Sequence, residues 1–367
     1  MTTPLETYES ERRAVHATKW SAFDKKFTPL WVADMDFAVS PAIQKALAGR
    51  IDHPTFGYTS IDQSVNFAVT EWAETHYDWR VAPSEIIWMQ GLVPGFCLIL
   101  EMLTTSEQAI AIPTPNYPPI LNVGKTIKRH TVSVKHRFDD NRWSLDFDHL
   151  ESVLRRPDVR CLLLANPANP LGFCLTRDEV SELAMLARKH NVIVCSDEIH
   201  CDLVFDNHHH IPLGSVLEEN SITMMAASKT FNIAGLNTSY AIVPDPVLRT
   251  DIAKAVAARI GYPNLLGITA TKAALTQGEP WRQQLLAQLD QNRQLMHSFL
   301  VRESYEQLYL PQATHLYWIK QSADQWVSKN IMPSKGQDFG DSNYTRINFA
   351  CSQALLSSAL SAMASDG

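Results

Sequence analysis

The sequence predicts an α/β fold, in which a three-layer αβα large domain with a mostly parallel sheet is joined to a small α+β domain. Short, continuously apolar segments alternate with helical patterns between residues 85 and 243. Such segments are typical of strands that helices bury on both faces. The chain has 367 residues, which is more than one minimal domain and favours two lobes.

The composition narrows the class of protein. Hydrophobic residues make up 45% of the chain and charged residues 19%, as in a globular protein with a large core. The formal net charge is -7 and no Lys/Arg block stands out, which argues against nucleic-acid and acidic-membrane partners. We expect a cytoplasmic protein with reduced thiols, because the six cysteines form no CxxC pair and neither a signal peptide nor a membrane-spanning run is recognisable.

The chain begins with an irregular segment and then becomes regular. Residues 1–40 scatter aromatic side chains among charges, which predicts an arm that packs on a larger body. Within it, Asp34 and Asp36 lie either at a surface or along a cleft. We predict that 1–40 form the arm and part of the small domain, that 41–279 form the large domain, and that 280–367 form the small domain.

The remaining elements follow from local patterns. Ser40-Pro41 and the capping box Thr176–Glu179 mark helix starts. The predicted strands are 85–90, 109–112, 161–165, 192–195, 222–227, 240–243, 314–319 and 344–349. The predicted helices are 41 onward, 62–77, 91–103, 176–190, 246–259, 264–277, 280–302 and 352 onward.

Polar residues follow several of the buried strands. In parallel sheets ligands gather outside the carboxyl ends of the strands. The polar residues at these ends are Asn166, Asn169, Asp197, His200, Ser228 and Lys229. A lysine after a strand is usually solvated, but a lysine held in a pocket has a lowered pKa and becomes a nucleophilic amine.

These residue types match what pyridoxal phosphate (PLP) requires of a protein. Lys229 can form the Schiff base, Asp197 can pair with the pyridine nitrogen, and Asn169 can donate to the phenolate oxygen. Gly91-Leu92-Val93 precedes a predicted helix, whose N-terminal N–H groups can hold a phosphate.

At this point the chain resembles a known family. It is similar to the fold-type I PLP enzymes of the class I/II aminotransferase superfamily, and within them to the MalY/PatB-like group of cystathionine and cysteine-S-conjugate β-lyases. The motifs that carry the resemblance run in family order over nearly the whole chain: Trp31–Phe37 (WVADMDF), Phe56–Thr59 (FGYT), Pro115–Pro119 (PNYPP), Asn166–Gly172 (NPANPLG), Ser196–His200 (SDEIH), Ser228–Asn232 (SKTFN) and Thr345–Asn348 (TRIN).

The resemblance implies roles for individual residues. Lys229 binds the cofactor and then acts as the base at Cα, and Asn169 contacts both the cofactor oxygen and the substrate carboxylate. Further cofactor contacts are implied for Asp197, Tyr117, Leu92, Val93, Ser228, His200 and, from a neighbouring subunit, Tyr58. Further contacts with an amino-acid substrate are implied for Arg346, which clamps the α-carboxylate, and for Ala33. The shared site implies a homodimer.

For some of these residues, interpretations other than direct contact with a cofactor or substrate stay open. Tyr117 and Tyr58 are also compatible with turns, and Arg346 with a surface ion pair. His200 either touches the cofactor or supports Asp197. We interpret His208–His210 as a solvated loop and predict no metal site.

Departures from the family pattern bear on the reaction. Asn237 stands where aminotransferases of this fold commonly have an arginine, as is usual in the β-lyase group. The segment from Ile319 to Met332 looks shortened, and Cys351-Ser-Gln353 replaces the family's Cys-Pro-Arg. The substrate pocket is therefore not fixed by the resemblance.

The resemblance favours a PLP-dependent carbon–sulfur β-lyase that releases pyruvate, ammonia and a thiol. An aminotransferase is the alternative. A non-catalytic regulator on the same fold is a third reading, which the intact Lys229 and Asp197 disfavour.

Overall fold

A computed structural model describes residues 5–9, 11–206 and 208–364. Its strands are β1 (Thr28–Pro29), β2 (Ile86–Met89), β3 (Ala109–Thr114), β4 (His130–Asp139), β5 (Arg142–Leu145), β6 (Val159–Ala165), β7 (Ile193–Asp197), β8 (Ser221–Met225), β9 (Ser239–Ile242), β10 (Leu316–Ile319), β11 (Ile331–Met332), β12 (Ser334–Lys335) and β13 (Thr345–Asn348).

Its α-helices are α1 (Thr18–Ser21), α2 (Pro41–Ile51), α3 (Gln63–Tyr77), α4 (Leu92–Leu103), α5 (Pro118–Leu121), α6 (Val123–Ile127), α7 (Phe147–Leu154), α8 (Arg177–His190), α9 (Pro246–Arg259), α10 (Leu265–Gln277), α11 (Glu279–Arg302), α12 (Ala323–Ser328) and α13 (Gln353–Ala364). Short 3-10 turns lie at Glu11–Arg13, Pro83–Glu85, Leu213–Ser215, Ala234–Leu236 and Gly336–Phe339.

The predicted α/β class is confirmed by the large sheet. Within the described ranges it has eight strands in the order β2-β9-β8-β7-β6-β3-β4-β5. The neighbours β4-β3-β6-β7-β8 pair in parallel, whereas β9, β2 and β5 pair antiparallel with their neighbours. Because the parallel strands point the same way, the loops after β3, β6, β7 and β8 meet at one edge of the sheet.

The side chains of single strands show the three layers. On β6, Cys161 and Leu163 belong to one core cluster and Leu162 and Leu164 to another. The first cluster includes residues of α4 and α9, and the second includes residues of α7 and α8. Since alternate strand residues point to opposite faces, helices cover both faces of the sheet.

The arm connects to the C-terminal part of the chain. β10, β13 and β12 form an antiparallel sheet in which Arg346 lies opposite both Trp318 and Ser334. β1 pairs in parallel with β11, so the arm adds a short strand beside this sheet. The boundaries proposed at 40/41 and 279/280 stay predictions.

Two details differ from the sequence predictions. The strand before Lys229 ends at Met225 rather than at Ala227. The triplet His208–His210 is not wholly solvated: His208 and His209 are exposed, but His210 is buried and its Nε2 lies 2.7 Å from Oε2 of Glu198. The reason is that Glu198 is itself fully buried and needs donors for its oxygens.

Two features are absent from the described ranges. These ranges contain no helix that is long and apolar enough to cross a membrane. They also contain no cluster of three or more His, Cys, Asp or Glu side chains arranged to hold a metal ion.

Candidate active site

A cavity of about 250 Å³ lies at the carboxyl edge of the parallel strands. Loops after β3, β6, β7 and β8 and the start of α4 form its walls. The cavity brings together nine of the residues predicted from the sequence: Ala33, Leu92, Val93, Tyr117, Asn169, Asp197, His200, Ser228 and Lys229.

Lys229 is held rather than solvated. It lies in the turn after β8, is partly buried, and its Nζ donates a hydrogen bond to the carbonyl oxygen of Ala33 over 2.6 Å. Burial lowers the pKa of Lys229 to about 8, and the nearby Asp34 carboxylate opposes this shift. About a tenth of the amine is therefore neutral and nucleophilic at pH 7, far more than for an ordinary lysine.

Asp197 ends β7 and is buried. Its Oδ1 accepts a hydrogen bond from the backbone N–H of Ile199 over 3.1 Å. Burial raises the pKa of Asp197 to about 7, and this hydrogen bond and the charge of Lys229 reduce the shift. Such a carboxyl group is suited to a cationic nitrogen that would restore its charge.

Arg346 is a buried cation on β13, with 4% of its surface exposed. It forms no ion pair with any carboxylate of the described residues, and its Nε is buried without a hydrogen-bond partner among them. Burial lowers the pKa of Arg346 to about 10. An unpaired buried guanidinium is costly, so the site is suited to an anionic ligand. This placement excludes the surface ion pair considered above.

The guanidinium is held in place by neutral groups. Its Nη1 donates to Oδ1 of Asn169 over 3.0 Å, and its Nη2 donates to the carbonyl oxygen of Trp31 over 2.7 Å. Its central carbon lies 4.4 Å from the ring centroid of Phe339. Because the Asn169 oxygen is engaged in this way, its amide N–H groups are left to donate toward the cavity.

The start of α4 is shaped to hold an anion. Gly91 has a φ of +89°, a conformation that favours glycine, and α4 begins at the next residue. No side chain caps this helix end, so the first N–H groups of the helix stay available beside Leu92 and Val93. Ser228 adds a hydroxyl on the same cavity wall.

His200 lines the cavity as a neutral imidazole. It is buried, and burial lowers its pKa to about 3, with smaller contributions from the charges of Lys229 and Arg346. Its Nδ1 has no hydrogen-bond partner among the described residues. Whether it touches the cofactor or supports Asp197 therefore stays open.

Two asparagines fix the arm against the site. Asn232, three residues after Lys229, donates to the carbonyl oxygens of Met35 and Phe37 over 3.1 and 2.8 Å. Asn348, two residues after Arg346, donates to the carbonyl oxygens of Val32 and Asp34 over 2.6 and 2.7 Å. The arm carbonyls that bind Lys229 and Arg346 are thus positioned by neighbours of those same residues.

Arg346 does not line the cavity and meets it through its hydrogen bond to Asn169, whereas Tyr58 is the predicted site residue that the single chain leaves outside altogether. It is fully exposed on the loop between α2 and α3 and does not line the cavity. The resemblance implies that Tyr58 contacts the cofactor of a neighbouring subunit, and this stays a prediction.

Sequence reasoning did not assign several other residues that line the cavity, among them Gln90, Ile199, Asn237 and Thr238. Gln90 and Ile199 each lie within two residues of an assigned position, so proximity to a motif was the available signal. Asn237 was noted only as a departure from the family pattern.

The set of groups fits PLP. A lysine of lowered pKa, a buried acid, an amide donor and an uncapped helix start surround one cavity, and each matches one polar feature of that cofactor. The fold and the site together define a fold-type I protein of the α/β class.

Comparison with known proteins shows the family of this chain. Residues 25–363 match the family model described as aminotransferase class I and II, and the chain belongs to this family. It is 32% identical to the cystathionine beta-lyase PatB of Bacillus subtilis, over 95% of this chain and 96% of that protein. The resemblance to the MalY/PatB-like group is therefore confirmed.

Solved structures agree with the fold. The crystal structure of OvoB superposes with a TM-score of 0.94 at 31% identity and covers 100% of both chains. Cystalysin from Treponema denticola, whose structure contains a pyridoxal 5'-phosphate cofactor, superposes with a TM-score of 0.92 at 26% identity over 99% of this chain and 98% of its own.

Proposed function

We propose that this protein is a PLP-dependent carbon–sulfur β-lyase. Its reaction converts a cysteine S-conjugate and water into pyruvate, ammonia and a thiol. The observation that carries the proposal is the buried, unpaired Arg346, which donates a hydrogen bond to Asn169, a residue that lines the same cavity as Lys229. The similarity to a cystathionine beta-lyase over nearly the whole chain supports the same reaction.

Each site residue has its own role in the proposed reaction. When bound, PLP supplies an electron-accepting ring that stabilises negative charge at the substrate Cα. Asp197 would hold the proton of the ring nitrogen, and the start of α4 with Ser228 would hold the phosphate. Arg346 would bind the α-carboxylate, since its fork of donors matches a carboxylate.

Lys229 would remove the Cα proton. The Cβ–S bond then breaks, and the sulfur leaves with the bonding electron pair and takes up a proton. The remaining three-carbon unit tautomerises and hydrolyses to pyruvate and ammonia. The lowered pKa of Lys229 supports its role as a base near neutral pH.

Asn237 supports elimination over amino transfer. It lines the cavity eight residues after Lys229, at the position where related aminotransferases commonly have an arginine. The family model, by contrast, is described as aminotransferase class I and II, which keeps amino transfer as the second candidate.

One assay separates the two reactions. The holoenzyme is given cystathionine or S-propylcysteine without any keto acid, and pyruvate and thiol are measured. The lyase releases both in equal amounts over many turnovers. An aminotransferase stops after one turnover, accumulates pyridoxamine phosphate, and resumes only when a keto acid is added. That result would overturn the proposal.

We also propose a cytoplasmic homodimer. The segment that contains the exposed Phe56 and Tyr58 offers aromatic surface to a second copy of the chain. The described cysteines are all free, as expected in a reducing compartment. Light scattering of the wild type and of Tyr58→Ala tests the dimer: a monomeric wild type would exclude a shared site.

A further inference from the structure

A second cavity adjoins the first on the side of the N-terminal arm. It has a volume of about 560 Å³ and is lined by arm residues between 8 and 37 together with Asn232, Ala234 and Gly235. We call it the arm cavity. It shares Ala33, Lys229 and Ala234 with the active-site cavity. The hydrogen bond from Lys229 to the Ala33 carbonyl therefore lies in the wall between the two spaces.

The arm acids differ in how far they are neutralised. Both oxygens of Asp36 are used, because Oδ2 accepts from Lys19 over 2.7 Å and Oδ1 accepts from Arg12 over 2.8 Å. Asp36 is also fully buried. With a further hydrogen bond from Nε1 of Trp20 to Oδ1, this carboxylate holds the arm together.

Asp34 and Arg12 form the ion pair that the arm cavity presents. Oδ2 of Asp34 accepts from Nη2 of Arg12, and 27% of the Asp34 side chain stays exposed. Neither Oδ1 of Asp34 nor Nε of Arg12 has a hydrogen-bond partner among the described residues. Arg12 also binds Asp36, which pairs with Lys19, so the four groups carry no net formal charge while one acceptor of Asp34 and one donor of Arg12 stay free.

We propose that the arm cavity binds the sulfur-side half of the substrate and that it is suited to a leaving thiol with an amino-acid end. The ammonium group of that end would lie on Asp34 and its carboxylate on Arg12. A neutral acid–base pair matches a zwitterion better than it matches a lone cation or anion. This inference rests on the proposed lyase function and assigns the residues that bind the leaving half of its substrate.

The position of Lys229 supports this assignment. The α-amino group of the substrate must come to the lysine, and its α-carboxylate to Arg346. Lys229 and Ala33 line both cavities, so a Cβ substituent that extends past Lys229 would enter the arm cavity. A long leaving group has space there, whereas the active-site cavity has a volume of about 250 Å³.

Gly235 provides a way to fill the arm cavity without straining the chain. A Cβ atom built on it meets no atom within 4 Å, and its φ is not in the left-handed region. Gly49 on α2 has the same open surroundings far from both cavities and serves as the matched control. Gly235→Leu and Gly49→Leu are therefore compared.

The first test uses cystathionine and S-methylcysteine as long and short substrates of the holoenzyme. In Gly235→Leu we expect the ratio of kcat/KM for cystathionine to that for S-methylcysteine to fall at least about tenfold. Gly49→Leu should keep the wild-type ratio. An unchanged ratio in Gly235→Leu would overturn the assignment of the arm cavity.

The second test concerns charge. In Asp34→Asn the ratio of kcat/KM for cystathionine to that for S-propylcysteine, whose leaving group is uncharged, should fall about tenfold. The reason is that the ammonium group on the leaving half of cystathionine loses its ion partner. The ratio cancels any effect of Asp34 on Lys229 that both substrates share. Asp24→Asn, which changes an exposed acid of the same arm, is the control. A ratio unchanged in Asp34→Asn would refute the zwitterion subsite.

The experiments distinguish a failure of the lyase function from a failure of the subsite. If the wild type forms no pyruvate from any of these substrates, the lyase function is refuted, and the subsite with it. If the wild type cleaves all of them and neither ratio changes in the variants, the subsite alone is refuted.

Discussion

Arg346 donates a hydrogen bond from Nη1 to Oδ1 of Asn169 over 3.0 Å, although the two residues are 177 positions apart. This contact joins β13 to the loop after β6, and so joins the proposed carboxylate-binding group to the proposed donor for the cofactor oxygen. Arg346 forms no ion pair with a carboxylate of the described residues. A substrate carboxylate bound to Arg346 would therefore act directly on Asn169, the side chain that we propose as a donor to the cofactor.

Substitution of Arg346 should weaken substrate binding more than cofactor binding. We expect Arg346→Gln to lower kcat/KM about 100-fold, mainly through KM, because a charge-assisted carboxylate contact is lost. Arg346→Lys should recover only part of this, since lysine lacks the planar fork. The absorbance of the lysine-bound cofactor should persist in both variants.

The control for this pair is Arg302→Gln, which changes an exposed arginine at the end of α11. It should leave KM unchanged. An Arg346→Gln enzyme with a wild-type KM would remove Arg346 from the substrate site.

The pH dependence of cofactor uptake should report the amine of Lys229. Its pKa is lowered to about 8, so the neutral nucleophile accumulates as the pH rises through about 8. The rate constant for PLP capture by the apoprotein, divided by that for Nα-acetyl-lysine at each pH, should be constant below that point and fall above it, because the reference amine, with a pKa of about 10.4, is still losing protons. This division cancels the titration of PLP itself.

Asp34 provides an internal check on this pH profile, because its charge raises the pKa of Lys229. In Asp34→Asn the midpoint of the uptake profile should move to lower pH. A wild-type midpoint near that of an ordinary lysine would show that Lys229 is solvated.

Asp197 should make the apoprotein less stable as the pH rises. Burial raises its pKa from 3.8 to about 7, so between these values the unfolded chain binds fewer protons than the folded chain. The free energy of unfolding then falls with rising pH. Relative to Asp197→Asn, the wild-type apoprotein should lose about 2 kcal/mol between roughly pH 5 and pH 8.

Denaturant unfolding at several pH values measures this difference. Asp24→Asn, at an exposed position, should run parallel to the wild type. A constant difference between Asp197→Asn and the wild type at every pH would show that Asp197 does not titrate in this range.

His210 should matter for stability and its neighbour His209 should not. Glu198 is fully buried and accepts hydrogen bonds from Ser196, the backbone N–H of Leu213 and His210. We expect His210→Ala to lower the free energy of unfolding by about 2–4 kcal/mol, because a buried acceptor loses its partner.

The exposed His209→Ala should change the free energy of unfolding by less than about 0.5 kcal/mol. His210→Gln, which keeps a donor, should recover part of the loss. Equal effects of the two alanine variants would contradict the buried pair.

The elements that the sequence predicted are those with continuous apolar runs or clear helix signals. The strand at β6 and the helix α9 are examples, and both are observed. The hairpin of β4 and β5 was not predicted, nor was α7. On β4, buried and exposed positions are mixed, because the strand lies near the edge of the sheet. A partly exposed strand lacks the apolar run that marks a buried one.

Long-range contacts account for what could not be predicted at the site. Nothing local distinguishes Asp34 from Asp36, yet Asp34 is partly exposed in the arm cavity whereas the side chain of Asp36 is fully buried between Arg12 and Lys19. Likewise, Asn232 and Asn348 stand in recognisable motifs, but their hydrogen bonds reach arm carbonyls about 200 and 300 residues away. The burial of His210 likewise depends on its contact with Glu198.

The most direct test of the account is to locate the lysine that binds the cofactor. The holoenzyme is reduced with borohydride, digested, and the peptide that carries the phosphopyridoxyl group is sequenced by mass spectrometry. We predict the group on Lys229, and its absence, together with the loss of turnover, in Lys229→Ala. A phosphopyridoxyl group on another lysine, or full turnover by Lys229→Ala, would contradict the account.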